Sequence, residues 1–515
     1  MLVKVFGAAV QGIHAKLITI EVNCSRGIRF SLVGLPDASV KEGHERIISA
    51  LQVSGFTVPH QQIVINMSPA DIRKEGSAYD LPLAIGILAA SGSSLPFANL
   101  SHYILMGELS LDGSILPVKG ALSMAVMAKE NGFKGLILPV ENAREAAVID
   151  GVDIYGIGKI GDVVRFFTDK YHPEPTKVDI YGEFFKDQTN FEFDFSDVKG
   201  QETVKRALEV AAAGGHNILM VGPPGSGKSM MAKRLPSILP PLNLEEALET
   251  TKIHSVAGKI EGETSLITHR PFRSPHHTIS DVAMVGGGAY PQPGEISLAH
   301  NGVLFLDELP EFSRNVLEVL RQPLEDRKIT ISRTKFTVDY PASFMLVAAM
   351  NPCPCGYYNH PDKECICAPG AIQKYWNKIS GPLLDRIDIQ VESVPVSFEK
   401  LSDPAPGEKS CDIRKRVVKA RDIQALRFKD VEGIYCNAQM TSKMLRKYAA
   451  PDKAGLMLLK TAMEKLSLSA RAYDRILKVA RTIADLESSN RILPHHLAEA
   501  INYRNLDRGR WGGGI

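Results

Sequence analysis

Apolar and polar residues alternate in patterns that change twice along the chain, which divides it into three regions. In residues 1–168, β-branched and apolar runs predict strands, whereas apolar positions three or four residues apart predict helices. The strand patterns cover 17–22, 30–33 and 135–139, and the helical patterns cover 42–53 and 81–90. This mixture predicts an α/β or α+β domain in which the helix over 81–90 is buried.

A polar, proline-bearing stretch at 169–195 predicts an extended linker after the first domain. Residues 196–396 repeat a strand–loop–helix order, which is typical of an open parallel sheet covered by helices. Strand signals then fade, so residues 397–515 are expected to form a small helical domain. Its helical patterns cover 456–466, 471–486 and 494–506.

Composition and charge narrow the class of protein. A length of 515 residues fits three domains of about 150 residues each. The 60 Lys and Arg residues against 58 Asp and Glu leave a net charge of +2, so any nucleic-acid contact needs a local basic patch. No apolar run of about 18 residues predicts a membrane span, and the first residues lack a signal-peptide pattern. Seven cysteines without a secretion signal favour the reducing cytoplasm.

A nucleotide-binding loop follows the strand predicted over 217–221. It matches G-x-x-x-x-G-K-[ST] and opens a helix, which is the context that this motif requires. The loop consists of Gly222, Pro223, Pro224, Gly225, Ser226, Gly227, Lys228 and Ser229. Its glycines let backbone N–H groups surround phosphates. We therefore expect ATP here, with Lys228 on the β and γ phosphates and Ser229 on Mg²⁺.

Two later apolar strands end in polar residues that complete such a site. The strand over 302–306 ends in Asp307 and Glu308, a Walker B pattern. Asp307 is expected to hold Mg²⁺ through water, and Glu308 to orient and deprotonate the attacking water. The strand over 344–350 ends at Asn351, which could position that water or could simply begin a turn before Pro352.

Four cysteines form two C-x-C pairs in one loop: Cys353, Cys355, Cys365 and Cys367. Four thiolates suit a structural, tetrahedral zinc ion, and disulfides are the weaker alternative in the cytoplasm. His276 and His277 are the other metal-ligand pair that stands out. Adjacent strand residues face opposite ways and no carboxylate partner is evident, so we expect a loop or interface role for them.

Further segments complete a resemblance to a known family. They are FRSPHHT at 272–278, PGEISLAHNG at 293–302, NPCPCG at 351–356 and ISGPLLDRID at 379–388. With the Walker motifs they resemble the YifB/ComM family of magnesium-chelatase-like AAA+ ATPases, over essentially the whole chain. The resemblance implies a multidomain α/β protein with an N-terminal Lon-protease-like domain, an AAA+ P-loop core and a C-terminal helical lid.

The resemblance also implies roles for two arginines. Arg386, in a segment similar to the arginine-finger segment of MCM helicases, is expected to reach a neighbour's ATP, which implies a ring, most simply a homohexamer. The alternative is a local ion pair with Asp385 or Asp388. Arg471 is expected to contact the γ-phosphate from the lid, with Arg475 one turn further on as the alternative.

Alternating residues over 326–338 predict a β-hairpin with a basic tip. On residue chemistry alone this is a solvated, charged edge. In the MCM-like clade a hairpin at this place projects into the ring pore, so Lys328, Arg333 and Lys335 are expected to bind DNA phosphates. Tyr290, in a glycine-rich loop, is a further candidate for stacking on a base.

The Lon-like domain is expected to lack protease activity. By resemblance, Leu83 stands at the position of the nucleophilic serine and Leu122 near that of the lysine, and leucine can neither attack nor carry a proton. Ser77 and Lys119 lie nearby but out of register.

The resemblance to this family implies a hexameric ATP-driven DNA motor that promotes unwinding or branch migration of single-stranded or branched DNA in recombination, as in natural transformation. The alternative is a chelatase-like remodeller that acts on a protein partner. An ATP-dependent protease is the third class, and the two leucines disfavour it.

Overall fold

The computed structural model describes residues 2–58, 61–92, 99–188, 190–260, 264–288, 291–333, 336–360, 362–396, 399, 402, 405–431, 433–466 and 468–504. The chain forms two compact units. The first contains Met1–Lys186 and Leu244–Thr268, and the second contains Asp187–Asn243 and His269–Ile515. Within the described residues, no helix is long and apolar enough to cross a membrane.

A seven-stranded mixed sheet forms the centre of the first unit. In chain order its strands are β1 Leu2–Gln11, β2 His14–Ser25, β3 Phe30–Val33, β4 Gln62–Ser68, β5 Tyr103–Leu105, β8 Gly135–Leu138 and β9 Asp153–Gly156. Between β5 and β8 in sequence, β6 Glu108–Leu109 and β7 Ile115–Leu116 form a separate short pair. The sheet order is β3-β4-β2-β1-β5-β8-β9. β1 and β2 form a long antiparallel hairpin in which Val5 pairs with Ile20, and both side chains are fully buried.

Helices cover this sheet and bury its apolar residues. They are α1 Ala38–Val53, α2 Asp80–Ala90, α3 Ala121–Glu130, α4 Val140–Ala146, α5 Ile160–Phe167 and α6 Ile180–Asp187. The described residues of α2 are buried along almost its entire length, as its apolar run predicted. Helix α6 lies inside the stretch that the sequence predicted to be an extended linker.

The first unit is completed by a segment from later in the chain. Helix α9, Leu244–Ala257, lies between two elements of the P-loop region in sequence but packs against α3. The backbone N–H of Gly120 donates to the carbonyl oxygen of Ser255 at 3.2 Å, and Ile267 donates to the Thr251 hydroxyl at 3.0 Å. The sequence analysis placed this segment with the ATPase core. The domain limits proposed there stay a prediction.

A five-stranded parallel sheet forms the centre of the second unit. Its strands are β10 Ile218–Val221, β11 Phe272–Arg273, β14 Val303–Leu306, β17 Met345–Met350 and β18 Ile389–Glu392, in the order β11-β14-β17-β10-β18. Because all five strands are parallel, their carboxyl ends meet at one edge. Two short antiparallel pairs lie outside the sheet: β12 Gly286–Gly287 with β13 Gln292–Pro293, and β15 Lys328–Arg333 with β16 Phe336–Pro341.

The helices just before and just after β10 pack on this sheet, and further helices continue to the end of the described chain. They are α7 Glu202–Gly214, α8 Lys228–Arg234, α10 Asp281–Val285, α11 Glu295–Leu298, α12 Arg314–Val319, α13 Pro323–Asp326, α14 Pro369–Trp376, α15 Gly381–Leu384, α16 Ser410–Phe428, α17 Ser442–Tyr448, α18 Lys453–Leu466, α19 Ala470–Leu486 and α20 Pro494–Asn502. The multidomain α/β fold class, with a parallel-sheet core followed by helices alone, is confirmed.

Candidate functional site

The G-x-x-x-x-G-K-S loop lies between β10 and α8, at the edge where the parallel strands end. Gly225 and Gly227 have φ angles of +78° and +86°, a left-handed conformation that glycine adopts without strain. The Lys228 ammonium folds back into the loop and donates to the carbonyl oxygens of Gly222 at 2.7 Å and Pro223 at 2.9 Å. The loop therefore holds its own lysine at the place where phosphates would enter.

Lys228 also connects this loop to the end of β17. Its Nζ donates to Asn351 Oδ1 at 3.3 Å, so two of the predicted site residues are in contact. Burial lowers the pKa of Lys228 to about 8, although the carboxylates of Asp307 and Glu308 oppose the shift. At neutral pH most of this lysine remains charged, and its partly dehydrated ammonium can bind a phosphate strongly.

Ser229 and Asp307 meet across the same edge. The Ser229 hydroxyl, in the first turn of α8, donates to Asp307 Oδ2 at 2.5 Å. Asp307 follows β14, which pairs with β17, and β17 in turn pairs with β10. A hydroxyl and a carboxylate are the oxygen ligands that Mg²⁺ prefers. These two residues fit the magnesium ion that an ATP site uses.

Glu308, the predicted general base, has a histidine neighbour. Its backbone φ is +53°, and its carboxylate Oε2 lies 3.5 Å from Nδ1 of His277. The rings of His276 and His277 are 4.1 Å apart between centroids. The two histidines lie in a loop, as expected, and Glu308 is the carboxylate neighbour of His277 that was not evident in the sequence.

Arg386 and Arg471 both lie in ion pairs within the second unit. The Arg386 side chain is 9% exposed, and its Nη2 lies 2.6 Å from Glu325 Oε2. Arg386 therefore has a local acidic partner, but a different one from the two aspartates named in the sequence analysis. Arg471 is 63% exposed, and its Nη1 lies 3.7 Å from Asp385. Arg471 is thus accessible, whereas Arg386 is withdrawn.

Arg475, the alternative to Arg471, is part of a buried polar network. Its guanidinium pairs with the Asp388 carboxylate, which also lies 3.1 Å from His216 Nδ1. His216 is fully buried and Asp388 almost fully buried. This network fastens α19 to the residues that precede β10 and β18, so Arg475 has a structural role here.

The four loop cysteines converge on one point. The Sγ atom of Cys353 lies 3.3 Å from that of Cys355 and 3.6 Å from that of Cys365, and all four Sγ atoms lie within 4.8 Å of one another. Four sulfurs at about 2.3 Å from a tetrahedral zinc ion would be about 3.8 Å apart, whereas a disulfide requires about 2.05 Å. The backbone N–H of Cys355 also donates to Cys367 Sγ at 3.3 Å. The cluster can bind zinc.

A second group of metal-ligand types, Glu487, His495 and His496, is not suited to a metal. His496 Nδ1 accepts a hydrogen bond from the backbone N–H of Leu493 at 2.9 Å, so its proton is on Nε2. That Nε2 donates to Glu487 at 3.0 Å and has no lone pair for a metal. The histidine instead caps the start of α20.

The predicted DNA-binding hairpin is present as β15 and β16, but only part of its basic set can be placed. Lys328 lies at the base of the hairpin, where its Nζ is 3.2 Å from Asp339, so a carboxylate partly neutralises its charge. Lys335, the side chain of Arg333 and Tyr290 lie outside the described residues.

In the first unit, the two leucines at the protease positions are core residues. Leu83 is 1% exposed in α2 and Leu122 is fully buried in α3. Ser77 donates a hydrogen bond to Glu108, and the side chain of Lys119 lies over Gly258. Ser77 and Lys119, which the structure describes, thus contact different groups, and no contact between the two side chains forms a serine–lysine dyad.

Three family models match successive parts of the chain. The model described as subunit ChlI of Mg-chelatase matches residues 20–142. The model for magnesium chelatase, subunit ChlI, matches residues 194–401, and the model for its C-terminal part matches residues 407–504. The matches therefore cover the P-loop region and the sequences on both sides of it.

The relatives that match over nearly the full length include YifB and ComM. YifB of Escherichia coli (strain K12) is 44% identical over 505 residues, which is 97% of this chain and 96% of YifB. Competence protein ComM of Haemophilus influenzae is 43% identical over 516 residues, covering 98% of this chain and 97% of ComM. Lon protease 2 of Bacillus subtilis is 31% identical over 157 residues, which is 28% of this chain and 27% of the protease.

Proposed function

Because this chain belongs to the YifB/ComM family of magnesium-chelatase-like AAA+ proteins, we propose that it is a cytoplasmic, ATP-hydrolysing hexameric motor that unwinds or branch-migrates DNA during recombination. One observation carries the ATPase part of this proposal. Lys228 and Ser229, Asp307, and Asn351 come from three separate parts of the chain. At one sheet edge Lys228 hydrogen-bonds to Asn351, and Ser229 to Asp307. That arrangement is the one that phosphoryl transfer from ATP requires.

The chain's own residues supply the binding and the proton transfer. The loop N–H groups and the Lys228 ammonium bind the phosphates once Lys228 releases the carbonyl oxygens of Gly222 and Pro223. Ser229 and Asp307 would hold Mg²⁺, which would neutralise phosphate charge. Glu308 accepts a proton from the attacking water, and Asn351 orients that water.

The proposed ring requires Arg386 of one subunit to act on the ATP of its neighbour. For Arg386 to reach a neighbour's γ-phosphate, its ion pair with Glu325 must open. Arg386→Ala is expected to bind ATP normally and to hydrolyse it at least 100-fold more slowly, since an arginine finger contributes roughly 10³–10⁵ in rate. Mixing Arg386→Ala with Lys228→Ala subunits should restore part of the activity if the finger acts between subunits, and should restore none if it acts within one.

Support for DNA as the substrate comes from the hairpin and from ComM, whose name describes it as a competence protein. With an overall charge of only +2, binding must depend on a local site such as this hairpin. Arg333→Ala with Lys335→Ala should weaken DNA binding and make it less salt-dependent. Lys415→Ala is the matched control, because Lys415 is an exposed lysine with its own aspartate partner outside the hairpin.

ATP hydrolysis with and without single-stranded or branched DNA tests the proposal directly. We expect DNA to stimulate hydrolysis by the wild-type protein, and Glu308→Gln to slow hydrolysis roughly 10²- to 10⁴-fold while leaving ATP bound. ATPase activity that is indifferent to DNA at low salt would refute the DNA motor. It would favour the second candidate, a chelatase-like remodeller of a protein partner, which pull-down with the Glu308→Gln protein would then identify.

The tetrathiolate cluster leads to a second proposal, a structural zinc ion on Cys353, Cys355, Cys365 and Cys367. The purified protein should contain one zinc per chain. Cys365→Ser should lose it, whereas Cys411→Ser should keep it, because Cys411 is exposed and is not part of the cluster. Zinc-free wild-type protein after refolding with Zn²⁺ would contradict the assignment.

A further inference from the structure

The cysteine loop contacts the phosphate-binding loop through a glycine. Gly356 lies between Cys355 and Tyr357 and has a φ angle of +84°. A Cβ atom at this position would lie 2.5 Å from Cδ and 2.8 Å from Cγ of Pro224. Since real side chains do not approach so closely, only glycine allows the two loops to lie against each other here.

The first residues of the same loop reach the catalytic residues through the backbone. Cys353 is fully buried and follows Asn351 by two residues. Pro352, between them, accepts a hydrogen bond from Trp376 Nε1 at 3.0 Å, and Asn351 accepts from Lys228. The cluster is therefore linked to the ATP site at two points, the side chain of Asn351 and the ring of Pro224.

The described part of the cysteine loop contains no helix or strand of its own. Between β17, which ends at Met350, and α14, which begins at Pro369, the described residues form no regular secondary structure. Four thiolate charges within 4.8 Å of one another would repel strongly unless a cation lies between them. The geometry of the loop therefore depends on what joins its sulfurs.

We propose that the tetrathiolate site is a metal-dependent brace of the ATP site, so that zinc and nucleotide each strengthen the binding of the other. The proposal rests on the ATPase function and the zinc site proposed above. With zinc bound, the loop keeps Gly356 against Pro224 and Asn351 against Lys228. Without zinc, the loop relaxes and both contacts are lost. By linkage, zinc must then bind more tightly in the presence of nucleotide by the same factor.

The test measures the dissociation constant of a fluorescent ATP analogue, with Mg²⁺, on the full-length protein before and after chelation of zinc. We expect nucleotide affinity to fall roughly 5- to 150-fold on zinc removal, the usual range for coupled sites, and to return when Zn²⁺ is added. Competition with a chelator, with and without the analogue, should give the same factor for zinc. Cys365→Ser repeats the measurement without a chelator.

Gly356→Ala separates the brace from the metal. This variant keeps all four thiolates but forces a Cβ into Pro224, so it should bind one zinc and still lose nucleotide affinity and coupling. Gly370→Ala is the matched control, because a Cβ there meets nothing within 4 Å, and it should behave as wild type. Circular dichroism of each variant confirms that it has folded.

Each outcome has a separate meaning. If zinc binds and nucleotide affinity is the same with and without it, the brace is refuted and the ATPase proposal stands. If wild-type protein binds no zinc, the brace and the zinc site both fail. If neither form binds nucleotide, the proposed ATPase function fails, and the brace fails with it.

Discussion

Asp388→Asn should destabilise the second unit strongly. Asp388 is 3% exposed, its carboxylate pairs with Arg475, and it lies 3.1 Å from His216. Burial favours the neutral acid, but Arg475, His216 and Lys478 outweigh this and hold the pKa of Asp388 well below its usual range. The asparagine has almost the same shape, so the substitution removes the charge and little else.

The loss of stability can be estimated from the charge that stays buried after the substitution. Removing one partner of a buried ion pair costs about 3–5 kcal/mol, because the other charge stays buried without compensation. Arg475 is 20% exposed and keeps a hydrogen bond to the Arg386 carbonyl oxygen, so we take the lower end, about 3 kcal/mol. At roughly 2 °C per kcal/mol for a large domain, the melting temperature of this unit should fall by about 6 °C.

Differential scanning fluorimetry and urea unfolding at pH 7 measure this loss. Asp412→Asn is the control, since Asp412 pairs with Lys415 on an exposed helix surface, and it should show no change. The pH dependence gives a second readout. Because the pKa of Asp388 is depressed in the folded state, its ionised carboxylate stabilises the fold above about pH 4. This contribution decreases as the pH falls below that value, so Asp388→Asn should lose part of the protein's acid sensitivity. A melting temperature within about 1 °C of wild type would refute the argument.

Three further predictions concern the ATP site and the first unit. Lys228 must be protonated to bind phosphate, so ATP affinity should be constant below pH 8 and fall about tenfold per pH unit above it. Titration by fluorescence anisotropy checks this, and an affinity that stays constant to pH 9.5 would contradict it. Glu308→Gln should slow hydrolysis roughly 10²- to 10⁴-fold at unchanged ATP affinity, as measured by phosphate release, and a smaller loss would assign the base elsewhere. Casein should remain intact with wild-type protein and with Ser77→Ala alike, because Leu83 and Leu122 are core residues; cleavage lost in Ser77→Ala would show that the protease alignment is wrong.

The parts of the site that depend on short stretches of sequence could be predicted. A glycine-rich loop between a buried strand and a helix specifies its own conformation, so the positions of Lys228 and Ser229 follow from local chemistry. Parallel strands end at one edge, which is why Asp307 and Asn351 could be expected near that loop. The fold class followed from the same alternation of strands and helices.

Contacts between distant loops could not be predicted. Glu325 precedes Arg386 by 61 residues, and no periodic pattern connects a helix end before a hairpin with a segment beyond the cysteine loop. The same holds for His277 and Glu308, because a loop conformation, and not strand alternation, sets the direction of each ring. Gly356 shows why: its φ angle and its closeness to the ring of Pro224 require a glycine, but the sequence does not say which loop it contacts.

The segment 244–268 has a consequence for how this architecture can change during evolution. The chain leaves the first unit, enters the second, and returns once to supply α9 and the residues after it. Recombination at a single junction near residue 187 would transfer neither unit whole. The first would lack the helix that packs on α3, and the second would carry that helix without its partner. We therefore expect the two units to be inherited together, since neither is encoded by one continuous stretch of the gene.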